Sequence, residues 1–287
     1  MRFAVVSDIH GNLAAIQAVL ADIDGLEHPV EVIACAGDIV GHAPEPNEVI
    51  DLLRSRKIES VRGNYDEVAA GSRIEPGTDY ASEQERAVDV AAVRWTRQHL
   101  TPENAEYLQG LPRELRIQVS ASGRTAVRVR KTDDSAAEIR KGFLMGSLGG
   151  SLLSSARARP GGAGKRIRPQ RVLVVHGSPR DTVEYLYPGT AQSVLRTIAQ
   201  DAQAEIVVYG HTHQPFQQVV NGVAFIGVGS VGRPRGGGDA EYTIVEVAGT
   251  EIDVEFRSVA YDVEAEADAI ARSGLPPEMA ERLRPQG

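Results

Sequence analysis

The chain has one cysteine, Cys35, among 287 residues. Without a second thiol no disulfide can form within it, which excludes the disulfide-stapled folds. Cys35 lies in the apolar run Val32-Ile33-Ala34-Cys35-Ala36. It reads as a small core residue, because a reactive thiol needs exposure and a lowered pKa. No stretch approaches the ~20 apolar residues that span a bilayer. The apolar run at 3–6 is too short for a signal peptide, so a cytoplasmic location is the expectation. Positive charge is scarce, with 31 Lys and Arg against 39 Asp and Glu and a formal net charge of −8. That balance argues against general nucleic-acid binding by the whole surface, though not against a nucleotide as substrate. The remaining composition, 42% hydrophobic and 24% charged, is that of a globular protein long enough to bury a large core.

The first 62 residues alternate expected strands at 3–6, 30–36 and 58–62 with helical patterns. Leu13, Ile16, Leu20 and Ile23 fall on one helical face behind Asn12, a suitable N-cap, and Val49, Ile50 and Leu53 mark a second helix. This βαβα rhythm predicts an α/β fold with parallel strands and crossover helices. Ser82 and Glu85 form a capping box before the helical spacing of Val88, Ala91, Ala92 and Trp95. Thr101-Pro102 opens a shorter helix that Gly110 closes. Strands are expected at 172–175 and 205–209, with a helix at 193–202 between them. Alternation at 219–228, 242–247 and 252–259 predicts antiparallel strands, and a helical extension follows at 262–287.

Between 120 and 171 the periodicity fades. Twelve Lys or Arg stand there against three acids, in a segment rich in Gly, Ser and Arg. It reads as a basic surface insertion within a single domain of residues 1–287, or as a flap that draws anions toward a site.

Five strands each run into a polar motif: Asp8-Ile9-His10, Gly37-Asp38, Gly63-Asn64-Tyr65-Asp66, His176-Gly177 and Gly210-His211-Thr212-His213. The carboxyl ends of strands in α/β folds open onto the ligand crevice, so these loops can converge there. Four of the seven histidines lie in these motifs, and only His28, His42 and His99 lie outside. Each motif alone is weak, since a Gly-Asp after a strand is usually a turn. The ordered series is what carries information. Asp8, His10, Asp38, Asn64, His176, His211 and His213 offer imidazole nitrogen and oxygen together, which suits Mn, Fe, Zn or Ni rather than Ca or Mg. Seven ligands exceed one tetrahedral site and suffice for two divalent ions sharing a carboxylate, a pair able to clamp a phosphoryl group.

The series resembles the calcineurin-like metallophosphoesterase superfamily, most of all the small prokaryotic branch that opens Ser-Asp-Ile-His-Gly-Asn, here Ser7–Asn12. The segments 176–180 and 227–234 are similar to that branch as well. The resemblance implies an αββα sandwich of two mixed β-sheets flanked by helices. It implies Asp8, His10 and His213 on one metal, Asn64, His176 and His211 on the other, and Asp38 bridging, with a metal-bridging hydroxide attacking a phosphodiester, nucleotide or phosphomonoester. Manganese is the expected metal, and a small phosphorylated compound the expected partner. One position departs from the pattern: Tyr65 stands where the family has a histidine near the leaving-group oxygen, and a phenol is the poorer acid at neutral pH. Arg180 is a candidate for a substrate phosphate, with Arg233 and Arg235 as further candidates. Asp66 is expected to anchor its own loop or to orient a ligand, and His42, just after Asp38, to be a solvated loop residue, with a pocket-lining role as the alternative. Two other readings are a non-catalytic metal-binding scaffold of the same fold and a protein serine/threonine phosphatase.

Overall fold

The computed structural model describes residues 1–119, 129–132 and 170–285. In chain order its strands are β1 (Arg2–Val6), β2 (Val32–Cys35), β3 (Glu59–Ser60), β4 (Glu114–Val119), β5 (Val129–Thr132), β6 (Gln170–Val175), β7 (Ile206–Tyr209), β8 (Phe216–Val220), β9 (Val223–Gly227), β10 (Ala240–Ala248) and β11 (Glu251–Val259). The helices are α1 (Leu13–Asp24), α2 (Pro46–Ser55), α3 (Asn64–Ala70), α4 (Glu83–His99), α5 (Pro102–Gln109), α6 (Gln192–Asp201), α7 (Val263–Ser273) and α8 (Glu278–Leu283).

The strands form two mixed sheets, ordered β11-β10-β1-β2-β3 and β5-β4-β6-β7-β9-β8. In the first, β1, β2 and β3 are parallel, with α1 and α2 as crossovers, and β10 closes antiparallel on β1. In the second, β6, β7 and β9 are parallel. Side-chain alternation sorts each strand between layers. Phe3 and Val5 of β1 meet Leu115, Val174 and Val208 between the sheets. Ala4 and Val6 face the other way, onto Ile16 of α1 and Ile50 of α2. On the far side, Val207 and Tyr209 pack under Leu195 and Ile198 of α6. The result is the expected αββα sandwich. The strand β7 is buried along its whole length, which is why its sequence is a continuous apolar run rather than an alternating one.

The stretch 219–228, which alternates in sequence, is two strands rather than one. Asn221 and Gly222 both adopt positive φ, 52° and 77°, the geometry of a two-residue hairpin turn. The hairpin folds β8 antiparallel onto β9, while β9 runs parallel to β7. The third strand is shorter than the expected 58–62, because Val61 and Arg62 continue as loop, donating to the carbonyls of Cys35 and Pro112 at 2.9 and 2.8 Å. The capping box of α4 is shifted by one residue in its second arm. Ser82 Oγ accepts from the Glu85 amide, but Glu85 Oε2 accepts from Ala81 rather than Ser82.

At the C-terminus, α7 and α8 lay Ala267, Ile270 and Met279 against Val88 and Ala92 of α4. The basic segment read at 120–171 falls mostly outside the described residues; within them, β5 pairs with β4 and β6 starts at Gln170. Among the described residues no helix is long and apolar enough to cross a membrane. Cys35 is fully buried, and burial pushes its thiol pKa well up.

Candidate metal centre

All five motifs sit at the C-terminal ends of β1, β2, β3, β6 and β7, where the two sheets open together. The chain must turn sharply there to aim side chains back over the strand ends. Among the described residues eight non-glycine residues have positive φ, and five of them are Asp8, His10, Asp38, His211 and His213. L-residues take that conformation at a cost of roughly 1–2 kcal/mol each. Hydrogen bonds between neighbouring turns hold them: Asp8, His10 and Gly11 donate to the carbonyls of Gly37, Asp38 and Ile39 at 2.8–2.9 Å. Two of the motif glycines answer to close approach. A Cβ on Gly63 would stand 2.1 Å from Asp38 Oδ1, and one on Gly210 would stand 1.9 Å from Ser7 Oγ.

The side chains gather into two groups. Asp8, His10 and His213 form one, and Asp38, His176 and His211 the other, with the ligand atoms in each within 4.8 Å of one another. Asn64 joins the second, its Oδ1 2.8 Å from His176 Nε2. The Asp8 carboxylate links the groups by accepting from the His211 backbone amide at 3.0 Å. All seven residues are at most 9% exposed.

The donor set fits divalent cations. His176 Nδ1 donates to the Ala36 carbonyl at 2.8 Å and His213 Nδ1 to the Arg233 carbonyl at 2.6 Å. Each ring therefore turns Nε2 into the site, the arrangement by which metal-ligating histidines are oriented. Asn64 Nδ2 donates to the Pro76 carbonyl, so its oxygen faces inward. His176 Nε2 then meets Asn64 Oδ1 and, at 3.3 Å, Asp38 Oδ2. Acceptors facing acceptors repel unless a positive charge sits among them. His211 Nε2 is buried with no hydrogen-bond partner, a further lone pair aimed at the same place.

The site's electrostatics say the same. Burial opposes charging His176, but the Asp38 and Asp8 carboxylates outweigh it and hold its pKa up at about 9. Burial and the neighbouring His176 push His211 down to about 3. Asp8 is pulled well below the usual carboxylate range, its burial outweighed by His213 and the other imidazoles. One proton on His176 thus does part of what a bound cation does.

Asp66 anchors loops. Its Oδ1 accepts from the amides of Ile39 and Val40 at 2.8 and 3.1 Å, and its Oδ2 from Gly63 at 2.9 Å. Tyr65 is 4% exposed, and its hydroxyl donates to Asp89 Oδ2 at 2.7 Å. Asp89 in turn pairs with Arg282 of α8 at 2.6 Å. Burial and that carboxylate push the phenol well above its ordinary pKa. Arg180 closes its guanidinium onto Glu184, with Nε 3.0 Å from Oε2. Arg233 is half-buried and, among the described residues, pairs with no carboxylate; its charge acts on His10 and His42.

Two features went unread in the sequence. His42 is not solvated: it is 5% exposed and stacks on His10 with ring centroids 4.1 Å apart. Its burial comes from distant parts of the chain, so only the Gly41-His42-Ala43-Pro44 turn next to Asp38 hinted at it. Tyr185 stacks on His211 at 4.0 Å, and the alternation Tyr185-Leu186-Tyr187 just after the fourth motif was the available signal.

The fold and the candidate strand-end ligands are those of the metallophosphoesterase class. The family model for the calcineurin-like phosphoesterases matches residues 1–215, and the chain belongs to that family. It is similar to the Methanocaldococcus jannaschii protein MJ0912, at 27% identity over 298 residues that cover 98% of this chain and 96% of that one. A solved metallophosphoesterase from Sphaerobacter thermophilus superposes with a TM-score of 0.64 at 26% identity, covering 99% of this chain and 98% of its own. The hypothetical protein PH1004 from Pyrococcus horikoshii OT3 shares the fold with a TM-score of 0.71 at 22% identity, over 100% and 98% of the two chains.

Proposed function

We propose that this chain hydrolyses phosphoesters with two divalent ions, one held by Asp8, His10 and His213 and the other by Asn64, His176 and His211, with Asp38 between them. The observation that supports this most is the meeting of buried acceptor atoms whose far ring nitrogens are tied to backbone carbonyls. When bound, the ions supply positive charge for the phosphoryl oxygens and make water a usable nucleophile near neutral pH. The mixed imidazole and carboxylate donors suit Mn first, then Fe, Zn or Ni.

The chain's own residues do the rest. The Tyr65 amide donates to Asp38 Oδ1 at 2.8 Å and fixes that carboxylate. Arg233 brings a cation without a carboxylate partner to the site's edge and is better placed for a substrate phosphate than Arg180, whose fork Glu184 occupies. Tyr65 holds its proton on Asp89, so it supplies none to a leaving group. Phosphodiesters and nucleotides with good leaving groups are the expected substrates.

The test is hydrolysis of bis-p-nitrophenyl phosphate by metal-stripped protein with and without Mn²⁺, alongside calorimetric counting of bound ions. Two ions per chain, Mn²⁺-dependent turnover, and a loss of more than about 100-fold in Asp38→Asn are expected. Two ions bound without turnover would favour the scaffold reading, to which the commitment of the Tyr65 hydroxyl to Asp89 already lends weight.

A further inference from the structure

Residues 184–187 follow the fourth motif as irregular chain. Leu186 is fully buried among the residues under α6. Tyr185 and Tyr187 stack on each other and so share a side. Tyr185 lies on the His211 ring, centroids 4.0 Å apart and planes 23° apart, and Tyr187 lies on Tyr185 at 5.3 Å and 3°. The three rings make a staircase that begins at a candidate metal ligand and ends in solvent, where Tyr187 is 40% exposed. The outer step is fixed in place. The Tyr187 amide donates to Thr190 Oγ1 at 2.8 Å, and the Thr190 amide donates back to the Tyr187 carbonyl at 2.9 Å. Arg235 and Asp79, both from loops, are charged groups near enough to act on Tyr187. An exposed aromatic face with a tethered backbone and with a cation and a carboxylate nearby, one ring removed from a candidate metal ligand, has the makings of a stacking site.

We propose that Tyr187 is a platform for the nucleobase of a nucleotide whose phosphate sits at the metal centre, so that the substrate class is nucleotide rather than simple alkyl phosphate. This rests on the hydrolase reading only for the position of the phosphate. A ring bonded directly to phosphate would meet Tyr185, whereas a base one sugar farther out reaches Tyr187. Stacking on a π-face is tolerant of base identity, so the platform sets a class and not a single base.

The experiment measures binding by calorimetry to the full-length, Mn²⁺-loaded chain, so that catalysis is not the readout. The probes are the non-hydrolysable phosphonate analogues of AMP and of ribose 5-phosphate, with phenylphosphonate as a third. The AMP analogue is expected to bind about tenfold more tightly than the ribose analogue. Tyr187→Ala should bring that ratio to within twofold of one, and Tyr187→Phe should preserve it. Equal affinities in the wild type, or a ratio that survives in Tyr187→Ala, would overturn the platform. A loss of phenylphosphonate binding as large as that of the AMP analogue would overturn the nucleobase spacing. If the ratio behaves as expected while Mn²⁺ gives no turnover on any phosphoester, the hydrolase reading fails and the platform stands. Turnover with no preference for the base fails the platform alone.

Discussion

Asp66 touches no candidate ligand side chain, yet it ties together the loops that carry two of them. Its carboxylate accepts three backbone amides: Ile39 and Val40, which follow Asp38, and Gly63, which precedes Asn64. The residue is fully buried, so water does not replace these bonds cheaply. An unsatisfied buried donor costs ~1–3 kcal/mol. Three of them, eased by backbone relaxation, set the cost of Asp66→Ala at about 3–5 kcal/mol, near the top of what single substitutions do. At ~2–4 °C per kcal/mol for a chain of this size, the melting temperature falls by roughly 6–20 °C. Asp66→Asn keeps an oxygen for Ile39 and Val40 and turns its amide toward Gly63, so it loses one charge-assisted bond, about 1.5–3 kcal/mol. With the Asp38 and Asn64 loops loosened, Mn²⁺ affinity falls about 10–100-fold, the usual effect of removing a partner that orients ligands. Urea unfolding followed by circular dichroism, with calorimetric Mn²⁺ titration of each folded variant, measures both. An Asp66→Ala protein within 1 kcal/mol of wild type, or an Asn variant no more stable than the Ala one, would refute the reasoning.

Two further substitutions separate roles. Tyr65→Phe removes the hydrogen bond to Asp89 and should lower stability by about 1–2 kcal/mol in urea melts, with kcat on bis-p-nitrophenyl phosphate within about twofold of wild type. A drop of ~10²-fold or more, the scale of general acid catalysis, would show that the hydroxyl reaches the leaving group after all. Glu266 of α7 is 5% exposed and faces Glu45, and burial together with that neighbour pushes its pKa up to about 8. Its folded pKa is raised above the ordinary 4.5, so its contribution is fully present below that value and is lost as pH rises through about 8. Melting temperature should therefore decline across that window in the wild type, and less steeply in Glu266→Gln; identical slopes would remove Glu266 from the account.

Four of the five strand ends were legible because β1, β2, β6 and β7 each end in an uninterrupted apolar run that stops at a site motif, while β3, with Glu59 and Ser60, was marked only by the Gly63-Asn64 motif behind it. The glycines at 63 and 210 could be read as markers, but their steric reason, contact with Asp38 and Ser7, is a matter of three-dimensional packing. The Asn221-Gly222 pair is a turn signal in the sequence, but the apolar residues on both sides of it, Val219-Val220 and Val223-Ala224-Phe225-Ile226, let the stretch be read as one strand. His42 was misread for a different reason. Its surroundings are His10, Tyr65 and charges from Arg233 and Arg282, which no local pattern brings together. The alternation Tyr185-Leu186-Tyr187 is local, but its meaning depends on which side faces His211, and that is set by Leu186 entering the core under α6.

The backbone of the site bears on how it is assembled. Five candidate ligands at positive φ, at roughly 1–2 kcal/mol each, store about 5–10 kcal/mol, comparable to the whole stability of a typical domain. Strain of that size persists only where other contacts impose it. Those contacts are present in the chain itself: the amide-to-carbonyl bonds between the β1 and β2 turns, the Asp66 triplet, and the Val231 and Gly232 amides donating to the Ser7 and Asp8 carbonyls at 3.0 Å. The fold, not the ions, then holds the ligands in place. Protein stripped with EDTA should melt at a lower temperature, because binding to the native state adds about 2.7 kcal/mol when free metal is 100 times its Kd. It should still melt cooperatively and keep its near-ultraviolet circular dichroism. Loss of that signal on stripping would show the opposite order, with the ions organising the loops, as in small domains that fold only around their metal.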